Sequence, residues 1–199
     1  MVVGVLNLDK LQRFLYIDFR TMSRPINTCV LGVGLSGLTF HIPFILALPE
    51  LFKLHSVLER NPLTSTGKVY ERFGVEVTTY RSLDQVLADP TVELIVIGTP
   101  NETHYPFAKA SLEAGKHGAI FNLSLMWSAK FCSVLVDKPV TATSAQALEL
   151  GALAQLKGLI LYPFQNRRWD SDFLALKRLL ALPDTSQHSL GSITEFESQ

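Results

Sequence analysis

Charge is scarce in this chain and evenly split. Lys and Arg together number 18, Asp and Glu number 18, and charged residues make up 18% of the 199. Zero net charge excludes the basic face that nucleic-acid binding ordinarily needs. Cysteine is scarcer. Cys29 and Cys132 are too few for a disulfide scaffold, and they fit a reducing, cytoplasmic setting. The five histidines (His41, His55, His104, His117, His188) lack metal-ligand spacing, so no metal site is expected. Ser36 lies in Gly-Leu-Ser-Gly, not in a nucleophile elbow, and no Lys-Ser/Thr pair follows to make a P-loop. Long apolar runs are missing as well. Asp9, Lys10, Arg13 and Asp18 break the N-terminal segment, which excludes a signal-peptide core. The uncharged run Ile26–Pro49 holds Gly32, Gly34, Gly37, His41 and Pro43. It reads as a buried strand, a glycine turn and a buried helix, not as a membrane span.

What is present is apolar. Hydrophobic residues make up 47% of the chain, enough for a packed core. The length suits one ordinary domain, or one domain plus a fragment of another. Short apolar runs predict strands at Thr28–Leu31, Lys53–Leu58, Val75–Thr79, Glu93–Ile97, Val134–Val136 and Leu159–Tyr162. Helices are expected between them. One starts near Leu35, one spans Thr66–Phe73 before Gly74, and one follows the capping-box spacing Ser82-x-x-Gln85. Another runs from about Glu102 to Ala114 with Asn101 as its cap and Gly115 as its stop. A further one opens at Thr143-x-x-Gln146 and closes at Gly158, and an amphipathic one covers Asp170–Leu180. Ile193–Glu197 reads as the start of a new strand. Alternating strands and helices predict an α/β fold, a doubly wound parallel sheet of the Rossmann type. Ligands of such sheets bind at the strand C-termini.

The residues just after the strands carry the chemistry. Gly32-Val33-Gly34-Leu35-Ser36-Gly37 matches G-x-G-x-x-G between a strand and a helix. Gly32 permits the turn, Gly34 admits a pyrophosphate, Gly37 lets helix and strand pack closely, and the helix N-terminus faces the phosphates. Glu59 stands 22 residues after Gly37, near the spacing expected of a carboxylate that binds the adenosine ribose. Arg60 beside it suits a 2′-phosphate, so the pair leaves NAD and NADP both open; a solvated strand end is the plain alternative. Thr99-Pro100-Asn101 follows the fourth strand, where a loop passes beneath the nicotinamide. His104 lies on the next helix, with a surface position as its alternative. Asp137-Lys138-Pro139 ends the fifth strand. A lysine there is expected to be desolvated, which lowers its pKa toward proton exchange near neutrality, with a solvent-facing loop position as its alternative. Pro139 fixes its direction.

Val30–Phe44 (VLGVGLSGLTFHIPF), Leu58–Asn61 (LERN), Ile97–His104 (IGTPNETH), Val136–Pro139 (VDKP) and Asn166–Asp170 (NRRWD) together resemble the glucose-fructose oxidoreductase/inositol dehydrogenase family, also called Gfo/Idh/MocA. The resemblance covers most of the chain from about Ile26. It implies an NAD- or NADP-dependent oxidoreductase acting on a sugar, polyol or related secondary alcohol. It also implies a small-molecule substrate and no nucleic-acid or membrane partner, with homo-oligomers among full-length relatives. The cofactor residues it implies are Gly32, Gly34, Leu35, Ser36, Gly37, Glu59, Arg60, Thr99, Pro100, Asn101, His104, Asp137 and Lys138. Lys138 matches the catalytic lysine of the family's E-K-P motif, with Asp137 where Glu is usual.

Three departures shape the expected domains. Residues 1–21 precede the family pattern and read as an extension from a misassigned start. Residues 22–163 form the cofactor domain. Within it, residues 118–133 (GAIFNLSLMWSAKFCS) carry a single charge, Lys130, where the family connection is tight, and they read as a gene-model error such as a translated intron. Residues 164–199 read as the truncated start of a substrate and oligomerisation domain. A noncatalytic dinucleotide-binding module is the alternative function. A Rossmann protein for another ligand, such as a methyl donor, is disfavoured by the glycine spacing and VDKP.

Overall fold

The computed structural model describes residues 24–115, 133–183, 185–191 and 194–195. Six strands form one parallel sheet: β1 (Ile26–Leu31), β2 (Phe52–Leu58), β3 (Thr78–Tyr80), β4 (Leu94–Ile97), β5 (Ser133–Asp137) and β6 (Leu161–Phe164). Their order is β3-β2-β1-β4-β5-β6. This is the doubly wound Rossmann order, as expected. Between β1 and β2 a π-helical turn, Gly37–His41, runs into α1 (Ile42–Ala47). The other helices are α2 (Gly67–Phe73), α3 (Leu83–Ala88), α4 (Asn101–Ala114), α5 (Ser144–Lys157) and α6 (Ser171–Leu180).

Strand alternation divides the core in two. Val30, Val57 and Val96 point to one face, where Ile42 and Ile45 of α1 and Val69 of α2 cover them. Leu31, Ile95, Ile97 and Val136 point to the other, beneath Val86 of α3, Leu112 of α4 and Leu150 of α5. On the α1 side, an apolar groove lined by Phe44, Leu48, Leu94, Val96, Leu135 and Phe164 borders the middle strands. No helix among the described residues is long and apolar enough to cross a membrane.

Local chemistry sets the boundaries. Ser82 accepts from Gln85 N while the Gln85 side chain accepts from the Ser82 N–H, the reciprocal box expected. At Thr143 only half of the expected box forms, because the Gln146 side chain accepts from Ala142 N instead. Pro100, not Asn101, occupies the N-cap of α4, and no side chain caps that end. Gly74 and Gly158 close their helices in the left-handed conformation, whereas Gly115 has φ −50°. The third strand lies later than expected, at Thr78–Tyr80, since its ladder is fixed by pairing with Ser56–Leu58. The sixth is likewise shifted to pair Leu161–Phe164 with Val134–Asp137. Residues 1–21, most of the segment 118–133 and most of Ile193–Glu197 lie outside the described residues.

Candidate functional site

The strand order reverses between β2-β1 and β4-β5. Connections leave the C-terminal ends of β1 and β4 toward opposite faces, which opens a crevice. Gly98 N donates to Leu31 O at 3.0 Å and Gly32 N to Leu58 O at 3.2 Å, tying the loop backbones to the neighbouring strand ends.

Each glycine of the first loop meets a different constraint. Gly32 has φ +94°, and a Cβ there would lie 2.9 Å from Gly98 O. At Gly37 a Cβ would lie 2.0 Å from Gly32 O, so any other residue would push the helix off the loop. At Gly34 a Cβ would meet nothing within 4 Å. That position is closed by no protein atom and is free for close approach from outside. Leu35 beside it is 79% exposed. The first N–H groups of the helical turn have no partners one turn earlier and present positive partial charge to the crevice.

Ser36 Oγ donates to Asp137 Oδ2, so the glycine loop is joined directly to the end of β5. Asp137 Oδ1 accepts from Lys138 N at 2.9 Å. Lys138 comes directly after β5 and is exposed. The expected desolvation of this lysine is therefore not supplied by the described residues: it stands one position past the end of the strand and two past its last buried residue, Val136. Its peptide bond to Pro139 is cis.

His104 differs most from the surface alternative. It is 1% exposed. Its Nδ1 lies 2.6 Å from Pro139 O and its Nε2 2.8 Å from Thr99 O, so the ring fills the space between two loops. Thr99 is also held by its own loop. Its hydroxyl donates to Thr103 Oγ1 at 2.6 Å, and Thr103 Oγ1 donates to Pro100 O at 2.6 Å. Pro100 and Asn101 remain exposed at the rim.

Glu59 and Arg60 follow β2 directly and point to different fates. Glu59 is 4% exposed; its Oε2 accepts from Lys68 N at 3.2 Å, and its Oε1 is buried without a hydrogen-bond partner. It is no solvated strand end. Gly67, at φ +73°, leaves the space that this carboxylate fills: a Cβ there would come within 2.9 Å of Glu59 Oε2. Arg60 is exposed.

Three residues of the crevice carried no assigned role in the sequence. Thr103 stands four residues after Thr99, a helical spacing that is its only advance signal. Arg81 reaches Glu59 O with Nη1 at 2.9 Å, a contact invisible before the β2–β3 pairing is known. His41 is 5% exposed, with Nε2 3.7 Å from Asp137 Oδ2 and its ring against Phe164 at 4.9 Å between centroids. Burial holds its imidazole below the usual range, and the nearby Asp137 carboxylate only partly opposes this.

Residues 26–122 match the family described as an oxidoreductase family with an NAD-binding Rossmann fold. Over those residues, just under half of its length, the chain is similar to the Gfo/Idh/MocA oxidoreductase family. An uncharacterized oxidoreductase of Escherichia coli, YdgJ, is 42% identical over 179 residues, 89% of this chain and 43% of that one. An uncharacterized oxidoreductase of Schizosaccharomyces pombe is 38% identical over 174 residues, 87% of this chain and 41% of the relative. Bacillus subtilis IolW, named scyllo-inositol 2-dehydrogenase (NADP(+)), is 31% identical over 172 residues, 86% and 40% of the two chains. Among solved structures, an oxidoreductase from Bacillus cereus superposes with TM-score 0.63 at 31% identity, covering 78% of this chain and 39% of that one. GenD2 from gentamicin A biosynthesis, in complex with NAD, superposes with TM-score 0.64 at 29% identity, covering 80% and 40%. The chain thus spans about two fifths of the length of these relatives.

The family model that residues 26–122 match describes an NAD-binding fold, and GenD2 holds NAD. The crevice fits such a group where it can be tested locally: the approach over Gly34 is clear, while Gly32 and Gly37 bring backbone and helix together beneath it.

Proposed function

We propose that this chain provides the cofactor-binding part of an oxidoreductase that transfers a hydride between nicotinamide and a secondary alcohol of a sugar, polyol or related molecule. The observation that carries the reading is the Ser36–Asp137 hydrogen bond, which brings the glycine loop and Lys138 to one edge of the sheet. When bound, the cofactor supplies the ring carbon that takes or gives the hydride. Gly32, Gly34, Leu35, Ser36 and Gly37 would hold its pyrophosphate, and Thr99, Pro100 and Asn101 its nicotinamide half. Lys138 assists removal of the hydroxyl proton as the alcohol becomes a carbonyl, and its return in the reverse direction. Asp137 holds the backbone of that lysine, and His104 holds the loop on either side. The name of IolW, an inositol dehydrogenase, supports the substrate class. Residues 164–199 begin the substrate and oligomerisation domain in this reading.

The test joins binding to turnover. NADH and NADPH are titrated by fluorescence, and oxidation of a panel of polyols and sugars is followed by nicotinamide absorbance in the chain and in a version extended to the length of its relatives. Binding with turnover on one class of substrate supports the reading. Binding without turnover in both versions leaves a noncatalytic dinucleotide module, and no binding rejects both.

A further inference from the structure

Resting on the proposed dinucleotide function, we infer that this chain selects NADP(H) over NAD(H), and that Arg60 and Arg81 together receive the 2′-phosphate. The first observation is the state of Glu59. A carboxylate at the end of β2 discriminates for NAD by accepting from ribose hydroxyls. Here Oε2 is occupied by Lys68 N, and Oε1 has no surface for a ribose hydroxyl to touch. The carboxylate is turned down into the chain, within the space opened by Gly67. Its negative charge therefore does not line the rim where a 2′-phosphate would sit.

The second observation is independent and concerns cations. Arg60 is exposed next to Glu59 and has no ion-pair partner among the described residues. Arg81, also exposed, is anchored across from it. Arg81 Nη1 donates to Glu59 O, the carbonyl of the peptide that leads into Arg60, and Arg81 N donates to Gln85 Oε1 at 2.7 Å. One guanidinium N–H is spent on that anchor and four remain. The anchor places a second guanidinium at the peptide that carries Arg60. Two arginines at one strand end, with the neighbouring acid buried, make a doubly cationic rim. Planar guanidinium groups suit a phosphate monoester, which carries about two negative charges. An unphosphorylated ribose offers them no such partner.

The purified chain is titrated with NADPH and NADH by fluorescence, and with adenosine 2′,5′-bisphosphate and 5′-AMP by calorimetry, at two salt concentrations. NADPH is expected to bind at least tenfold tighter than NADH, and the bisphosphate tighter than 5′-AMP. Added salt should erode the difference. Arg60→Gln and Arg81→Gln should each lower NADPH affinity about tenfold and leave NADH affinity unchanged, with thermal melts confirming the fold. Arg81→Lys, which keeps a positive charge near the site, should lose less than Arg81→Gln. NADH binding as tightly as NADPH overturns the inference alone. So does an equal loss of both dinucleotides in the arginine variants. If neither dinucleotide binds, the dinucleotide function itself falls, and this inference with it.

Discussion

Ser36 and Asp137 stand 101 positions apart in the sequence and share a hydrogen bond. The serine belongs to the glycine loop after β1, and the aspartate ends β5. Neither strand touches the other, because β4 lies between them. The bond bridges the strand gap above the sheet edge and fixes the spacing between the glycine-loop backbone and Lys138.

Lys138→Met separates chemistry from binding. The substitution keeps most of the side-chain volume and removes the proton acceptor. In an active, full-length form, turnover should fall about 100-fold or more while dinucleotide affinity changes by less than about threefold. Single-turnover kinetics beside a binding titration make the comparison. Equal losses in both would reject the proton-transfer role.

The glycines of the first loop should separate from one another. Gly34→Ala adds a methyl group that meets no protein atom within 4 Å, so the melting temperature should hold or rise slightly. The same methyl stands in the cofactor's path, and affinity should fall about tenfold or more. Gly37→Ala drives a Cβ against Gly32 O and should destabilise the fold outright. Calorimetric melts and nucleotide titrations of the two variants check both halves.

His104→Ala empties a fully buried site and strands two carbonyls, Thr99 O and Pro139 O. A loss of about 3 kcal/mol is expected, a drop in Tm on the order of 10 °C. Thermal unfolding reads it. A change below about 1 kcal/mol would show that neither hydrogen bond holds the loops.

Stability should fall on both sides of neutrality, for separable reasons. Burial works to raise the Asp89 carboxyl, but hydrogen bonds from Thr91, His55 and Tyr80 outweigh it and hold the group well below its ordinary 3.8. Its contribution is complete above that value and is lost as the pH falls below it. His41 is held below its ordinary 6.5 by burial, so the unfolded chain takes up the proton first and stability already declines as the pH drops through 6.5. Tyr80 is pushed up to about 12 by burial and by its bond to Asp89, so its contribution is present below 10 and lost as the pH rises from 10 through 12. Denaturant titrations across pH should show three limbs. Tyr80→Phe should flatten the alkaline one, Asp89→Asn the most acidic, and His41→Phe the one near 6.5.

The sheet and its crevice were legible in the sequence because their signals are local. Apolar runs such as Leu94–Ile97, the glycine loop and the Ser82 box each depend on neighbours within a few residues. Tertiary contacts were not legible. The third strand moved because Ser56–Leu58 dictates its register. His104 opens the buried face of α4 that continues through Ala108, Ser111 and Leu112, and its ring meets Pro139 O, 35 positions on, a contact no local pattern announces. The inward turn of Glu59 depends on the N–H of Lys68, nine positions on, and on the missing side chain of Gly67. His55 is the residue skipped where the β1–β2 register shifts, and its Nε2 lies 2.7 Å from Asp89 Oδ2, a pairing no periodicity announces.

The π-helical turn at Gly37–His41 makes residue count at that point a matter of aim. Ile42 N bonds back to Gly37 O, five residues away, where an ordinary α-turn would span four. The turn thus holds one residue more than an α-helix would use. Winding the same residues into regular α geometry would rotate α1 by about 100° around its axis relative to the glycine loop. Ile42 and Ile45 would then turn away from the valines of the sheet that they now cover. The wide turn thus absorbs one residue while keeping the apolar face of α1 on the sheet, and deleting that residue would remove the wide turn and leave the face where it is.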